Sequence, residues 1–394
     1  MKLTKTDIKL AVDTFKEVTV KHELLESTLQ LVMFMLELSP NCDIVNLVGP
    51  TGIGKSLLQS QIMTKVLEEE RERMAADSNH MPIIRTHALA AGHRLFDWKS
   101  LYRGALTALG DPFALSRKAL PGSTKEASIF AYAGESRTAS ELRMYLEAEF
   151  RKRGTKFWII DEAQHLVFGG RTGKAGHQFD VLKSIAQSAG VKLLLAGPHE
   201  MESGLGSSGQ LARRSITVHF SRYRTTVPGQ LTAFAAVAVA FFKKMKVAGY
   251  PSVRENAPFL YSGSAGCVGI LKDWLAKAYG LALRDQTDEE VAVVTLDHLR
   301  QARLSLHSMR AIMDDIRMEE ELHERYATDA DYDKVVAGPA AADPARESLT
   351  GRREKGRSPA TRHVGLRALH ARDPVPTECP SSGGAQSDPA TDEV

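Results

Sequence analysis

The stretch GPTGIGKS, residues 49–56, constrains this chain more than any other. It sits between the apolar run DIVNLV and the periodic segment SLLQSQIMTKVLEEERERM. Gly49, Pro50, Thr51, Gly52, Ile53, Gly54, Lys55 and Ser56 match the pattern G-x-x-x-x-G-K-[ST]. Glycines let the backbone curl so that several N–H groups face one anion. A helix opening near Lys55 adds its positive end to the same point. Lys55 is expected to reach the β- and γ-phosphates of a nucleotide and Ser56 to bind Mg²⁺, with Leu57 closing the nucleotide-binding segment. Leu58, Ile62 and Val66 recur four apart, which predicts one buried face on the helix that follows.

A second run, FWIIDEAQHL, supplies acid where the loop needs it. Residues 157–160 read as a buried strand with Asp161 and Glu162 emerging at its end. Ligands of parallel sheets collect at the carboxyl ends of strands. Asp161 is expected to hold the metal and Glu162 to polarise an attacking water. TKTD, residues 4–7, superficially resembles a guanine-reading element but precedes the phosphate loop, so ATP is the expected nucleotide.

Apolar strand-like runs alternate with helical patterns as far as SITVHF, residues 215–220, which predicts an α/β fold with a parallel sheet flanked by helices. From Pro228 to Tyr326 the pattern is wholly helical. The expected division is an N-terminal helical segment (1–35), a nucleotide-binding α/β domain (36–227), a helical lid domain (228–330) and a tail (331–394). The tail is rich in Pro, Ala, Gly, Ser and Arg, and such a composition predicts disorder.

The net charge of +3 is too small to identify a nucleic-acid binder. Three cysteines, Cys42, Cys267 and Cys379, show neither metal spacing nor a disulfide framework, which fits a reducing cytoplasm. The N-terminus lacks the apolar core of a signal peptide, and LTAFAAVAVAFF, residues 231–242, is too short to span a bilayer. No membrane partner is expected.

The segment DEAQHL, residues 161–166, closely resembles the acidic motif of AAA+ ATPases that regulate DNA transposition, the TnsC/TniB-like group, and more loosely that of secretion-linked AAA+ proteins. LFDWKSLYRGALTALGDP (95–112) looks like the segment after the second strand in the first group. QLARRSITVHFSRYR (210–224) is similar to its arginine-finger segment. The resemblance covers roughly residues 24–278 and implies an AAA+ P-loop NTPase with a helical lid. It further implies an ATP-driven homo-oligomer, a ring or filament on double-stranded DNA, linking a target-selection protein to a transposase. Arg213 and Arg214 match the finger position, Arg214 being better aligned; such a residue acts on a neighbour's ATP. Where the family offers a small polar sensor, Pro198 and His199 stand, so His199 is the candidate. GSAGCVGILKDWLAKA resembles the lid sensor segment, with Lys272 in place of arginine. Lysine cannot reproduce a bidentate phosphate contact, which suggests slow, regulatory hydrolysis.

For DNA, Arg94, Lys99 and Arg103 cluster among Phe96, Trp98 and Tyr102 in the region that lines the DNA side in the resembling family. The aromatics read equally well as core. The basic loop GGRTGKAGH (169–177) reads equally as a contact to DNA or a neighbour and as a simple surface loop; the basic tail, which could grip phosphates or dock on the transposase, reads as an ordinary basic tail. Two other assignments stand beside transposition: a secretion or membrane ATPase, and a replication-initiator-like ATPase.

Overall fold

The computed structural model describes residues 3–38, 42–90, 96–110, 138–168, 175–201, 209–286 and 291–325, with residue 333. The chain divides into two compact units, Met1–Asp331 and Tyr332–Val394, and the elements below belong to the first.

Five strands form one parallel sheet: β1 (Ile44–Val48), β2 (Ile83–His87), β3 (Phe157–Asp161), β4 (Lys192–Gly197) and β5 (Ser215–His219). Their order is β2-β3-β4-β1-β5. In β1, β3 and the last five residues of β4 every position is buried, as expected of strands covered on both faces. The helices among them are α3 (Lys55–Glu69), α4 (Arg71–Ala76), α5 (Trp98–Ala108), α6 (Ala139–Lys152), α7 (His165–Phe168), α8 (Ala175–Ala189) and α9 (Gly209–Ala212). Thr138 starts α6 with a capping box closed by Glu141. Gly154 follows α6 with a φ of 61°, a conformation that glycine adopts without strain.

The two sheet faces bury different partners. Ile44, Val48, Trp158 and Ile160 pack with α5, α6 and α8. Val45, Leu47, Ile159 and Leu194 pack with Leu58, Ile62 and Val66 of α3, the spacing that predicted that helix. Two earlier helices precede the sheet. α1 (Lys5–Lys16) begins at Thr4 with a capping box closed by Asp7, and α2 (Glu23–Leu38) lies beside α3 on the same face.

The helical part comprises α10 (Gln230–Phe242), α11 (Val253–Ser264), α12 (Val268–Arg284), α13 (Leu296–Ala302) and α14 (Leu306–Arg325). α10 is apolar nearly all round because it is packed on several sides: Phe234, Val237, Phe241 and Phe242 are all buried. Phe15 of α1 joins this core edge-on to Phe241 and Tyr279. The first helix therefore packs with the helical part, and the second with the sheet. Residues 17–22 must cross between them. Among the described residues no helix is long and apolar enough to cross a membrane.

Candidate nucleotide site

The loop between β1 and α3 has no room for larger side chains. A Cβ on Gly49 would lie 2.7 Å from the carbonyl oxygen of Phe220. Gly52 and Gly54 have φ values of 75° and 116°, where L side chains are strained. Gly54 is the N-cap of α3, so the first free N–H groups of that helix face the loop. The Lys55 ammonium donates to the carbonyl of Gly49 and, at 3.1 Å, to that of Pro50. Burial lowers its pKa, opposed by the carboxylates of Glu319, Glu162 and Asp161.

A cleft of about 410 Å³ opens over this loop. It brings together Thr51 to Leu57, Asp161, Glu162 and Lys272, residues that the sequence singled out separately. Gly197 and Pro198 at the end of β4 also line it. His199 is 5 % exposed with its Nδ1 3.8 Å from Glu200, and it is not among the lining residues. The polar side chain beside Gly197 is instead Gln164.

The two acidic residues differ sharply. Asp161 is 5 % exposed and is held on both oxygens. Gln59 of α3 donates to Oδ1 at 2.9 Å and Arg85 of β2 donates to Oδ2 at 2.7 Å. The strand register explains the arginine: His87 of β2 pairs with Asp161, placing Arg85 two residues back on the same face. Glu162 is exposed and has a φ of 54°, the left-handed region that non-glycine residues rarely enter. Backbone strain of this kind gathers at functional sites. Its N–H is held by Asp161 Oδ1 at 3.0 Å and its carboxylate by Gln164 Nε2 at 2.6 Å.

The other end of the cleft is apolar. Val18, Val20, Leu25, Phe241 and Val268 line it, with His22 and Thr19. Such a mixture suits a flat heterocycle better than a phosphate. Leu25 N–H donates to His22 Nδ1, so the neutral ring carries its proton on Nε2. No sequence motif marked residues 18–22.

Arg213 and Arg214 lie at the opposite end of the sheet. Asp43 N–H and Ile44 N–H both donate to the Arg214 carbonyl, where β1 begins. A five-residue strand separates that point from the phosphate loop, roughly 16 Å. Neither arginine lines its own chain's cleft. Arg214 is 40 % exposed and pairs with Asp43 at 3.1 Å, whereas Arg213 is exposed.

Lys99 and Arg103 sit half-buried on α5. The aromatic residues among them are largely core: Phe96 and Tyr102 are buried, and Trp98 packs against both while donating to Gln178 at 2.8 Å. Arg94, residues 169–174 of the basic loop and the tail from 334 onward lie outside the described residues.

Residues 40–205 match the family model described as an AAA domain. The fold is an AAA+ P-loop fold: a five-stranded parallel sheet between helices, with a helical C-terminal region. No curated protein matches the chain. Similar solved structures include a Walker-type ATPase of Pyrococcus abyssi, at 16 % identity over 85 % of this chain and 91 % of that one, with a TM-score of 0.45. The ORC2 protein of Aeropyrum pernix is 15 % identical over 75 % of this chain and 73 % of that one, with a TM-score of 0.49. Domain III of the replication initiation protein DnaA of Thermotoga maritima is 12 % identical over 75 % of this chain and 95 % of that one, with a TM-score of 0.41. Gly49 to Ser56, Asp161 and Glu162 all fall inside the AAA domain, whereas Arg213, Arg214 and Lys272 lie beyond its matched span.

Proposed function

We propose that this chain is an ATP-hydrolysing AAA+ regulator of DNA transposition that assembles with copies of itself on double-stranded target DNA. The observation that carries the ATPase part is the convergence of Lys55, Ser56, Asp161 and Glu162 on one cleft. The transposition part rests on the resemblance of the DEAQHL, LFDWKSLYRGALTALGDP and QLARRSITVHFSRYR segments.

Backbone N–H groups of the loop would cradle the phosphates, with Lys55 on the β- and γ-oxygens. The residues fit such a group: Gly52 and Gly54 curl the backbone with positive φ at the N-terminus of α3, and Lys55 and Ser56 line the cleft above it. Ser56 and Asp161 would hold Mg²⁺, with Arg85 and Gln59 fixing the aspartate. When bound, the ion neutralises charge on the phosphate oxygens. Glu162 accepts a proton from water as the water oxygen attacks the γ-phosphorus; the bond from that phosphorus to the β–γ bridging oxygen breaks, releasing ADP and phosphate. Residues 18–22 with Phe241 and Val268 would enclose the adenine. Lys272 offers a single ammonium from the lid, which suits slow hydrolysis.

Arg213 or Arg214 would act on the nucleotide of a neighbouring copy. Their distance from their own cleft supports that reading, and the exposed Arg213 is better placed than the Asp43-paired Arg214. Contacts of this kind are head-to-tail and give rings or filaments. Lys99 and Arg103, with Arg94, are the proposed phosphate contacts on DNA. Transposase and a target-selection protein are the proposed partners, and the proposed location is cytoplasmic.

The test is electron microscopy of the full chain with duplex DNA and a slowly hydrolysed ATP analogue. Rings or filaments on DNA are expected with the analogue and not with ADP. Monomeric particles at saturating nucleotide and DNA would refute the assembly. Lys55→Ala should abolish nucleotide binding together with ATP-dependent DNA binding, whereas Glu162→Gln should keep nucleotide and arrest turnover. Loss of nucleotide affinity in Glu162→Gln would overturn its role as base. Binding of purified transposase to the DNA-bound chain separates a transposition regulator from a replication initiator, which would leave transposase in solution.

A further inference from the structure

We infer that Gln164 is the positioning residue that holds the Glu162 carboxylate for hydrolysis, an inference resting on the ATPase reading above. Glu162 leaves β3 in a left-handed conformation and is exposed, so packing does not fix its side chain. The backbone of this turn is fixed: Asp161 Oδ1 takes the Glu162 N–H at 3.0 Å, and the His165 N–H donates to the Glu162 carbonyl at 3.1 Å. The carboxylate is anchored by Gln164 Nε2, 2.6 Å from Oε2. An ionised carboxylate only accepts hydrogen bonds, so the amide nitrogen must face it and the orientation of the amide is determined.

That orientation has a cost. Gln164 Oε1 is buried and finds no hydrogen-bond partner among the described residues. It lies over Gly197, whose Cβ, if present, would be 2.8 Å away. A buried acceptor without a donor destabilises a fold, and an apolar side chain of similar size would avoid that cost. Stability alone would therefore not choose glutamine here; a donor aimed at Glu162 accounts for it. The second oxygen of Glu162 stays available to a water, and one fixed carboxylate rotamer raises the fraction of encounters with usable geometry. Gln164 also stands at the end of β4 where sequence reasoning put His199, which does not line the cleft.

The experiment compares the full chain with Gln164→Leu and Gln164→Met, singly and in a Glu162→Gln background, with MgATP and duplex DNA. Single-turnover hydrolysis, equilibrium ATP binding and thermal melting are measured for each. Both single variants should lose about tenfold to a hundredfold in the hydrolysis rate. Their ATP Kd should stay within about twofold of wild type, because the amide acts on the base and not on the bound ground state. Melting temperatures should be unchanged or higher, since the orphaned acceptor is gone. In the Glu162→Gln background neither change should slow hydrolysis further, because the group being positioned has been removed. A full rate in both single variants, or equal fractional losses with and without Glu162, overturns the inference alone. So does a rate loss matched by weaker ATP binding and a lower melting temperature. Undiminished hydrolysis by Glu162→Gln takes the base role from Glu162 and overturns this inference while leaving an ATPase, whereas no hydrolysis by wild type overturns the ATPase reading and this inference with it.

Discussion

His22 is a ring that this fold keeps neutral. It is 8 % exposed, its Nδ1 is 3.2 Å from the Tyr223 hydroxyl, and burial pushes its pKa from 6.5 down to about 4. Between those two values the unfolded chain binds a proton that the folded chain refuses. Stability therefore falls as pH drops through that window, with a total loss on the order of 3 kcal/mol from this residue. The contribution is fully present above pH 6.5 and lost on approach to 4. Denaturant unfolding at pH 7 and at pH 5 checks it: His22→Gln should be less stable than wild type at pH 7 and should lose less on acidification. Parallel losses in the two proteins would show that His22 does not titrate as described. This ring was not legible in the sequence, because a lone histidine between two helices carries no pattern. Asp161 and Glu162 were legible for the opposite reason: four apolar residues followed by two acids place charge at a strand end. The partners of Asp161 were not, since Gln59 and Arg85 meet it only through sheet register and the seating of α3.

Between elements, the phosphate loop meets the start of α12 directly. The Ile270 N–H donates to the Gly52 carbonyl at 3.2 Å. A Cβ on Gly269 would lie 2.4 Å from that same carbonyl oxygen, and one on Gly52 would lie 2.6 Å from Ile270 Cγ1. Two glycines thus let the lid touch the loop directly. Gly269→Ala should push α12 away from the loop and weaken ATP binding by about tenfold, a change of roughly 1.4 kcal/mol. Calorimetric titration with ATP measures it, and an unchanged Kd would mean that the lid contact does not shape the nucleotide site. A second inter-element clamp lies on the outer side of the loop. Glu320 of α14 takes Arg222 on both oxygens, at 2.9 and 3.1 Å, and Arg224 at 3.1 Å, while Arg222 also donates to Tyr261 Oη and Ala265 O. Glu320→Ala leaves Arg222 half-satisfied and should cost roughly 1–3 kcal/mol. Faster hydrogen exchange confined to α14 is the expected signature, and uniform protection across the helix would rule the clamp out. These contacts were invisible in the sequence. The strands and helices of the sheet region were legible from apolar period and glycine punctuation. The closeness of lid to loop depends on which glycines face each other across some 215 residues of chain, which no local pattern records.

At the scale of the whole molecule, the cleft and the arginine pair occupy opposite ends of one sheet. A chain so built has its phosphate loop at one pole and its candidate finger at the other, which is the geometry a head-to-tail neighbour would complete. Because Arg214 is tied to Asp43 at 3.1 Å and Arg213 is exposed, the finger role under the proposed assembly passes to Arg213. Arg213→Ala should leave ATP binding intact, because the residue is remote from its own cleft, and should lower assembly-dependent hydrolysis by about 10³-fold, the range set by trans-acting arginines elsewhere. Mixing gives the decisive measurement. Lys55→Ala subunits bind no nucleotide but keep the arginine, and Arg213→Ala subunits bind nucleotide but lack it. Each is expected to be inactive alone, and together they should recover hydrolysis wherever a Lys55→Ala copy presents Arg213 to an Arg213→Ala neighbour. Mixtures as inactive as their parts, with the two variants shown to co-assemble, would mean that Arg213 does not act across the interface. The same mixture prepared with Arg214→Ala in place of Arg213→Ala tests the other member of the pair. Full activity of Arg214→Ala subunits on their own would assign that arginine to holding β5 against Asp43, a contact that stabilises the fold without touching nucleotide.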